Sequence, residues 1–303
     1  MGQSLSWLVL NVEFGSQGMS DFVRKYGPWA LIVGASEGLG LSFAKNCAAH
    51  GLNVAMCARR AEVLAAAAQD IRAQYGVATR EITLDVGALD FVETVQAGTA
   101  GLEIGFLIFN AAAEPGGPFL KIKLADHMHN IQVNCIAPTQ LVYWLGAEMC
   151  RRGRGGIVLV SSTGAYSGIA NWASYGAAKS YELILGEGLW DEFRDYGVLA
   201  TSYLVGATAT PTFKRIQKKL GLPFAGDDLD PADFPPGTAL PRTAEEVAAA
   251  LFTQLEDGPR LYCHPDEEAA FKEASNANRR EWIARRGEMT KTFYNGGLNR
   301  LDG

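Results

Sequence analysis

The chain is poor in the residues that build metal, redox and disulfide sites. Its 303 residues include only four histidines and five cysteines. Cys47, Cys57, Cys135, Cys150 and Cys263 are dispersed, with no pair at metal-ligand or redox spacing. His127 and His129 stand two apart and so point to different sides of a helix. No metal site is expected, and scattered thiols suit a reducing cytoplasm. There is also no apolar run long enough to span a bilayer at the N-terminus, where residues 7–10 of MGQSLSWLVLNVEFG are the longest candidate. That stretch lacks the basic start and small-residue cleavage site of a signal peptide. Residues 1–26 therefore read as an N-terminal extension, and the expected location is cytoplasmic. The net charge of −6 argues against nucleic acid or an anionic membrane as the main partner. Basic residues do gather in the tail at Arg279, Arg280, Arg285 and Arg286, where Glu281 and Glu288 interrupt them as on a solvated helix face.

What the chain does have is material for a core. Hydrophobic residues make up 48% and charged residues 20%, the balance of a globular protein with a sizeable interior. Strand-like apolar runs fall at 29–34, 53–58, 78–86, 104–110, 156–162, 198–205 and 261–264. Helix-length stretches lie between them at 41–50, 61–74, 88–98, 124–150, 172–195 and 243–257. Runs apolar on both faces predict strands covered on both sides, hence a parallel sheet with crossover helices. The expected fold is α/β, a doubly wound, Rossmann-like parallel sheet in a single domain over residues 27–264. Residues 207–242, rich in Pro, Gly, Asp and Phe, contain the basic helix candidate TFKRIQKKLG and predict a helical substrate lid. Residues 265–303 form a C-terminal extension, with a charged tail helix expected over 266–290.

The turn after the first strand reads GASEGLG, residues 34–40. Glycines there let backbone N–H groups approach a pyrophosphate at a helix N-terminus, although tight strand–helix turns also use glycine for steric reasons. Gly34, Ser36, Glu37, Gly38, Leu39 and Gly40 are the candidate contacts. The second strand runs into Arg59 and Arg60, where an NAD site usually carries an acidic residue for the ribose. Arginines at that place suit the 2′-phosphate of NADP(H), so NADP(H) is expected over NAD(H), with Glu37 pulling the other way. Asp85, followed by Val86, either meets the adenine amino group or caps the next helix. Asn110 ends the fourth strand, where it ties strand ends together or lines the crevice with Ala111 and Ala112.

GASEGLG, Asn110-Ala111, Val133-Asn134, Ser161-Ser162 and Tyr175-x-x-x-Lys179 stand in the order and spacing of the short-chain dehydrogenases/reductases. The chain resembles that family over roughly residues 27–263. RKYGPWALIVGASEGLG and AGLEIGFLIFNAA are most similar to its 17β-hydroxysteroid dehydrogenase/very-long-chain 3-ketoacyl reductase branch. Tyr175 and Lys179 are four apart, hence one turn apart on one helix face. A free phenol titrates near pH ~10, and a lysine ammonium with an oxidised nicotinamide would favour its phenolate. Tyr175 is thus the expected general acid for ketone reduction and general base for alcohol oxidation. The resemblance implies that Lys179 also binds the nicotinamide ribose and that Ser162 polarises the substrate oxygen. It further implies that Asn134 holds a water in a proton relay, and that Gly206, Thr208 and Thr210 lie near the nicotinamide. Ser161 is expected on the sheet's other face from Ser162, because strand residues alternate. Departures from the family pattern are Val33 before the Gly loop, Phe109 and Ala112 around Asn110, and Val205-Gly206 after the sixth strand. None removes a proton donor.

Tyr166, Ile169, Trp172, Phe213 and Phe224 are the candidate pocket walls, and core or interface packing is the competing account of each. Such groups suit a hydrophobic ketone or secondary alcohol of steroid, aryl or acyl type. Lys214, Arg215, Lys218 and Lys219 read as a solvated basic face rather than a seat for an acidic carrier. The expected protein is an NADP(H)-dependent oxidoreductase acting as a homodimer or homotetramer. The alternatives are a non-redox dinucleotide sensor and a redox-neutral epimerase or dehydratase on the same fold.

Overall fold

The expected alternation is realised as seven strands in one sheet. The computed structural model describes residues 20–220 and 241–293. A short helix α1 (Asp21–Tyr26) leads into β1 (Trp29–Val33), then α2 (Gly38–Ala49), β2 (Asn53–Ala58), α3 (Ala61–Tyr75) and β3 (Thr79–Thr83). The second half continues with α4 (Phe91–Gly98), β4 (Ile104–Phe109), α5 (Leu124–Ile131), α6 (Ala137–Arg152) and β5 (Gly155–Ser162). After these come α7 (Ala173–Arg194), β6 (Val198–Val205), β7 (Thr208–Ala209), α8 (Pro211–Leu220) and β8 (Arg242–Thr243). The last described elements are α9 (Ala244–Thr253), β9 (Arg260–Tyr262), α10 (Pro265–Asn276) and α11 (Arg279–Phe293).

The sheet order is β3-β2-β1-β4-β5-β6-β9, with every pairing parallel. β4 shows why the runs lack alternation: all of Ile104–Phe109 is buried, because helices cover both faces. On one face Ile32, Met56, Phe106 and Val158 pack against α1, α2, α3 and α9 through Tyr26, Phe43, Leu64 and Leu251. On the other, Leu31, Cys57, Leu107 and Leu159 meet α4, α6 and α7 through Val95, Leu145, Met149 and Leu185. The strand order reverses between β1 and β4, and a crevice opens at the carboxyl ends of the strands at such a point.

Three details depart from the sequence reading. The helix expected over 124–150 is interrupted by a π-type segment, Gln132–Ile136, that re-aims the chain at Asn134. The expected tail helix is two helices, because Asn278 Oδ1 accepts from the N–H groups of Arg280 and Glu281 and starts α11 afresh. β7 and β8 form a small parallel ladder, Thr208 opposite Arg242, that brings the two ends of the 207–242 insertion together. Residues 1–19, 221–240 (with Phe224) and 294–303 lie outside the described residues. Among the described residues no helix is long and apolar enough to cross a membrane, and no cluster of three metal-ligating side chains occurs.

Candidate active site

The Gly loop joins β1 to α2 at the switch point. Gly34 and Ala35 donate to Cys57 O at 2.9 and 3.0 Å, which folds the turn back on β2. Asn110 Nδ2 donates to Gly34 O at 3.1 Å and ties the β4 end to the same turn. A Cβ at Gly40 would lie 1.8 Å from Gly34 O, so no larger residue fits that approach. Glu37 precedes α2 and makes no side-chain cap, and the first turn of α2 carries no acidic residue. The backbone N–H groups there are left for an incoming anion, which is what a dinucleotide pyrophosphate requires. These residues fit a nicotinamide dinucleotide.

Charges crowd around Glu37. Glu37 accepts from Arg60 at 2.8 Å and also from Arg215 of α8. The two guanidiniums hold its carboxyl below the usual range, Arg215 first. Arg59 is exposed at the end of β2. Asp85 Oδ1 accepts from Gly87 N at 2.9 Å in a local turn, and the residue preceding α4 is Asp90, so Asp85 does not cap that helix. Val86 is buried. Thr208 Oγ1 donates to Gly206 O at 3.1 Å, and Thr210 Oγ1 accepts from Phe213 N at 3.1 Å at the start of α8.

The candidate reactive groups meet where β5 ends and α7 begins. Ser162 and Tyr175 flank Gly164, where a Cβ would lie 3.4 Å from the Tyr175 ring and 3.5 Å from Ser162 Oγ, and Ser162 Oγ accepts from Gly164 N at 3.1 Å. Burial pushes the Tyr175 phenol up, Glu114 adds to that, the Ser162 hydrogen bond pulls it down, and Glu182 raises it again. Lys179 is buried beneath, its Nζ 6.0 Å from the centroid of the Tyr175 ring. Ser161 lies on the α7 side, where its Oγ donates to Lys179 O at 2.7 Å. Asn134 is fully buried in the π-type segment, and its amide spans the backbone of Ala113, accepting at 3.0 Å and donating at 2.7 Å. It thereby fixes the loop that carries Glu114 to the cleft.

Sequence reasoning missed two acidic residues here. Glu114 is exposed to the cleft yet walled in by protein; desolvation pushes its carboxyl up to about 7, against Lys179. Glu182 lies three residues past Lys179, an i,i+3 spacing that was visible but indistinguishable from an ordinary helix pair. His127 is structural: its ring nitrogens reach Ser174 Oγ at 2.8 Å and Phe119 O at 3.0 Å, bracing the start of α7.

Of the proposed pocket walls, Trp172 packs edge-on to Tyr175 at 6.2 Å, and Ile169 is buried in the loop before it. Phe213 is half-buried on α8. Tyr166 turns the other way. Its hydroxyl donates to Glu267 O at 2.8 Å and its ring meets Phe271 edge-on, so it packs under the C-terminal helices.

Comparison with known proteins agrees with this geometry. The family model for short chain dehydrogenases matches residues 28–221. A 7beta-hydroxysteroid dehydrogenase of Collinsella aerofaciens is 34% identical over 189 residues, 62% of this chain and 72% of that one. The very-long-chain 3-oxoacyl-CoA reductase of Homo sapiens is 29% identical over 192 residues, 62% of each chain. A solved structure bearing on 7beta-hydroxysteroid dehydrogenase stereoselectivity superposes with a TM-score of 0.78 at 29% identity, covering 88% of this chain and 99% of its own. The chain belongs to the short-chain dehydrogenase family, whose members bind a nicotinamide dinucleotide, and it is an oxidoreductase acting on CH–OH groups.

Proposed function

We propose that the protein is an NADP(H)-dependent oxidoreductase interconverting a bulky hydrophobic ketone and its secondary alcohol, with a steroid ring ketone as the leading substrate class. The observation that carries this reading is the juxtaposition of Ser162 and Tyr175 across Gly164, above Lys179 and beside an uncapped Gly-rich helix start. The steroid class draws on the 7beta-hydroxysteroid dehydrogenases among the relatives, and Trp172 and Ile169 supply apolar surface for it.

The bound nicotinamide supplies or accepts the hydride. The chain does the rest. Ser162 Oγ donates to the substrate oxygen and holds it against Tyr175 as negative charge develops there. Tyr175 Oη gives that oxygen its proton in reduction and takes it back in oxidation. Lys179 keeps a positive charge under the phenol, and the Asn134 amide holds the Ala113–Glu114 loop at the cleft wall. Arg59 and Arg60 receive the 2′-phosphate, which supports NADP(H) over NAD(H).

Two further parts of the reading concern assembly and setting. Tyr143, Tyr181 and Ile184 are exposed along α6 and α7, which supports a second copy packing there in a homodimer or homotetramer. All five cysteines are free, which fits a reducing cytoplasm.

The test is a panel of ketones with NADPH, including steroid 7-ketones, an aryl ketone and a 3-oxoacyl thioester, run on the protein and on Tyr175→Phe. Reduction of a bulky ketone by the protein, abolished in Tyr175→Phe, is the expected result. Undiminished reduction in Tyr175→Phe would overturn the assignment.

A further inference from the structure

Glu182 is a fully buried acidic side chain that the reaction above does not use; burial pushes its carboxyl up to about 7, and Lys179 pulls the other way. Its two carboxylate oxygens accept from Lys179 Nζ at 2.8 and 3.1 Å, and Val160 O accepts from the same ammonium at 2.9 Å. An ammonium has three donors, so binding the nicotinamide ribose, as the resemblance implies for Lys179, would take one of them from this set. The turn itself is clipped from outside. Ser161 Oγ of β5 donates to Lys179 O at 2.7 Å, and Ser202 Oγ of β6 donates to Glu182 O at 2.9 Å.

A buried ion pair is weak ground for stability, because hydrophobic residues of similar volume often serve as well. Here the cation is the one beneath Tyr175, and the carboxylate both fixes its place and neutralises part of its field. We propose that Glu182 is a positioning residue for the proton-transfer site: it anchors the Lys179 ammonium below Tyr175 and takes up part of the positive charge that would otherwise act on the phenol. The proposal rests on the catalytic reading of Tyr175 and Lys179 given above.

The other titratable groups facing the pair are Tyr175 on the same helix, Glu114 from the loop after β4 and Cys135 from the π-type segment. Cys135 is pushed up to about 11, by burial first and Glu182 second, so it stays a neutral thiol at neutral pH. Glu114→Gln, run in parallel, separates the effect of that carboxyl from the effect of Glu182.

The experiment uses the full chain with isotope-labelled lysine. It follows the Lys179 ammonium signal by NMR, assigned by its absence in Lys179→Met. In Glu182→Gln the ammonium signal is expected to shift and to broaden through faster exchange with water, because a neutral amide no longer holds it. The acid limb of kcat/KM for alcohol oxidation is expected to move to lower pH, since the unshared cation favours phenolate. An ammonium signal unchanged in position and width overturns the anchoring. A limb that stays put or rises overturns the charge sharing. A protein that turns over no ketone defeats only the functional reading, because the ammonium signal is read without turnover. Should Glu182→Gln fail to fold, Glu182→Asp carries both readouts with smaller shifts of the same sign, and their absence there overturns the proposal.

Discussion

The side-chain hydroxyl of Ser161 donates to the backbone carbonyl of Lys179 at 2.7 Å. That bond joins the strand carrying Ser162 to the helix carrying Tyr175, so the two candidate hydroxyls are held in register by a neighbour of both elements. Ser161→Ala removes a buried donor but leaves the carbonyl its helical partner. The expected loss is about 1 kcal/mol of stability, read in denaturant melts. Ketone reduction is expected to fall several-fold in kcat while the KM for the cofactor hardly moves, since the Gly loop is untouched.

The cofactor preference has a direct measurement. Arg59 is exposed, and Arg60 is shared with Glu37. Losing one charge-assisted hydrogen bond to a 2′-phosphate is worth about tenfold or more in affinity. Arg59→Ala is therefore expected to lower the NADPH/NADH ratio of kcat/KM by about that factor. An unchanged ratio in both Arg59→Ala and Arg60→Ala would remove the argument for NADP(H).

Glu114 links the site to stability through pH. Its carboxyl is pushed up to about 7 in the folded chain, above an unfolded value near ~4.3. Between those values the folded chain holds a proton that the unfolded chain has released. The contribution is therefore full on the acid side and is lost as pH rises through about 7. Glu114→Gln is expected to flatten that fall in denaturant melts between about pH 4 and 7. Parallel curves for the two proteins would show that this carboxyl keeps an ordinary value.

The helix α11 braces the loop 166–170. Trp282 is 4% exposed and its indole N–H donates to Ser167 Oγ at 3.1 Å, while Arg279 donates to Tyr166 O at 3.1 Å and Thr290 to Ala170 O at 3.0 Å. Trp282→Ala empties a buried site and is expected to cost about 3–5 kcal/mol. Because the loop 166–170 loses its backing, KM for a bulky ketone is expected to rise while NADPH binding, followed by fluorescence, stays within a factor of about two.

Much of this architecture was legible because buried parallel strands announce themselves as unbroken apolar runs, as IGFLIF does for β4. The Gly loop and the Tyr175/Lys179 pair were legible for a related reason: their spacing follows from backbone geometry. The break at Gln132–Ile136 was hidden, since a π-type segment adds one residue to a turn without leaving a composition signal. Tyr166 looked like pocket wall because its partners, Glu267 and Phe271, lie about a hundred residues away, beyond any local pattern. Glu182 was invisible for the opposite reason. Its spacing from Lys179 is so common on helix surfaces that only burial distinguishes it.

Glu37 holds two guanidiniums that come from separate parts of the chain, Arg60 after β2 and Arg215 on α8. One carboxylate between two cations makes them rivals. A phosphate that draws Arg60 away leaves Glu37 to Arg215 alone, so the grip on the first helix of the insertion changes with the nucleotide. By reciprocity, anything that fastens or loosens that helix alters nucleotide affinity by the same factor. NADP and NAD differ by a single phosphate, yet through this one side chain they would hold α8 with different firmness.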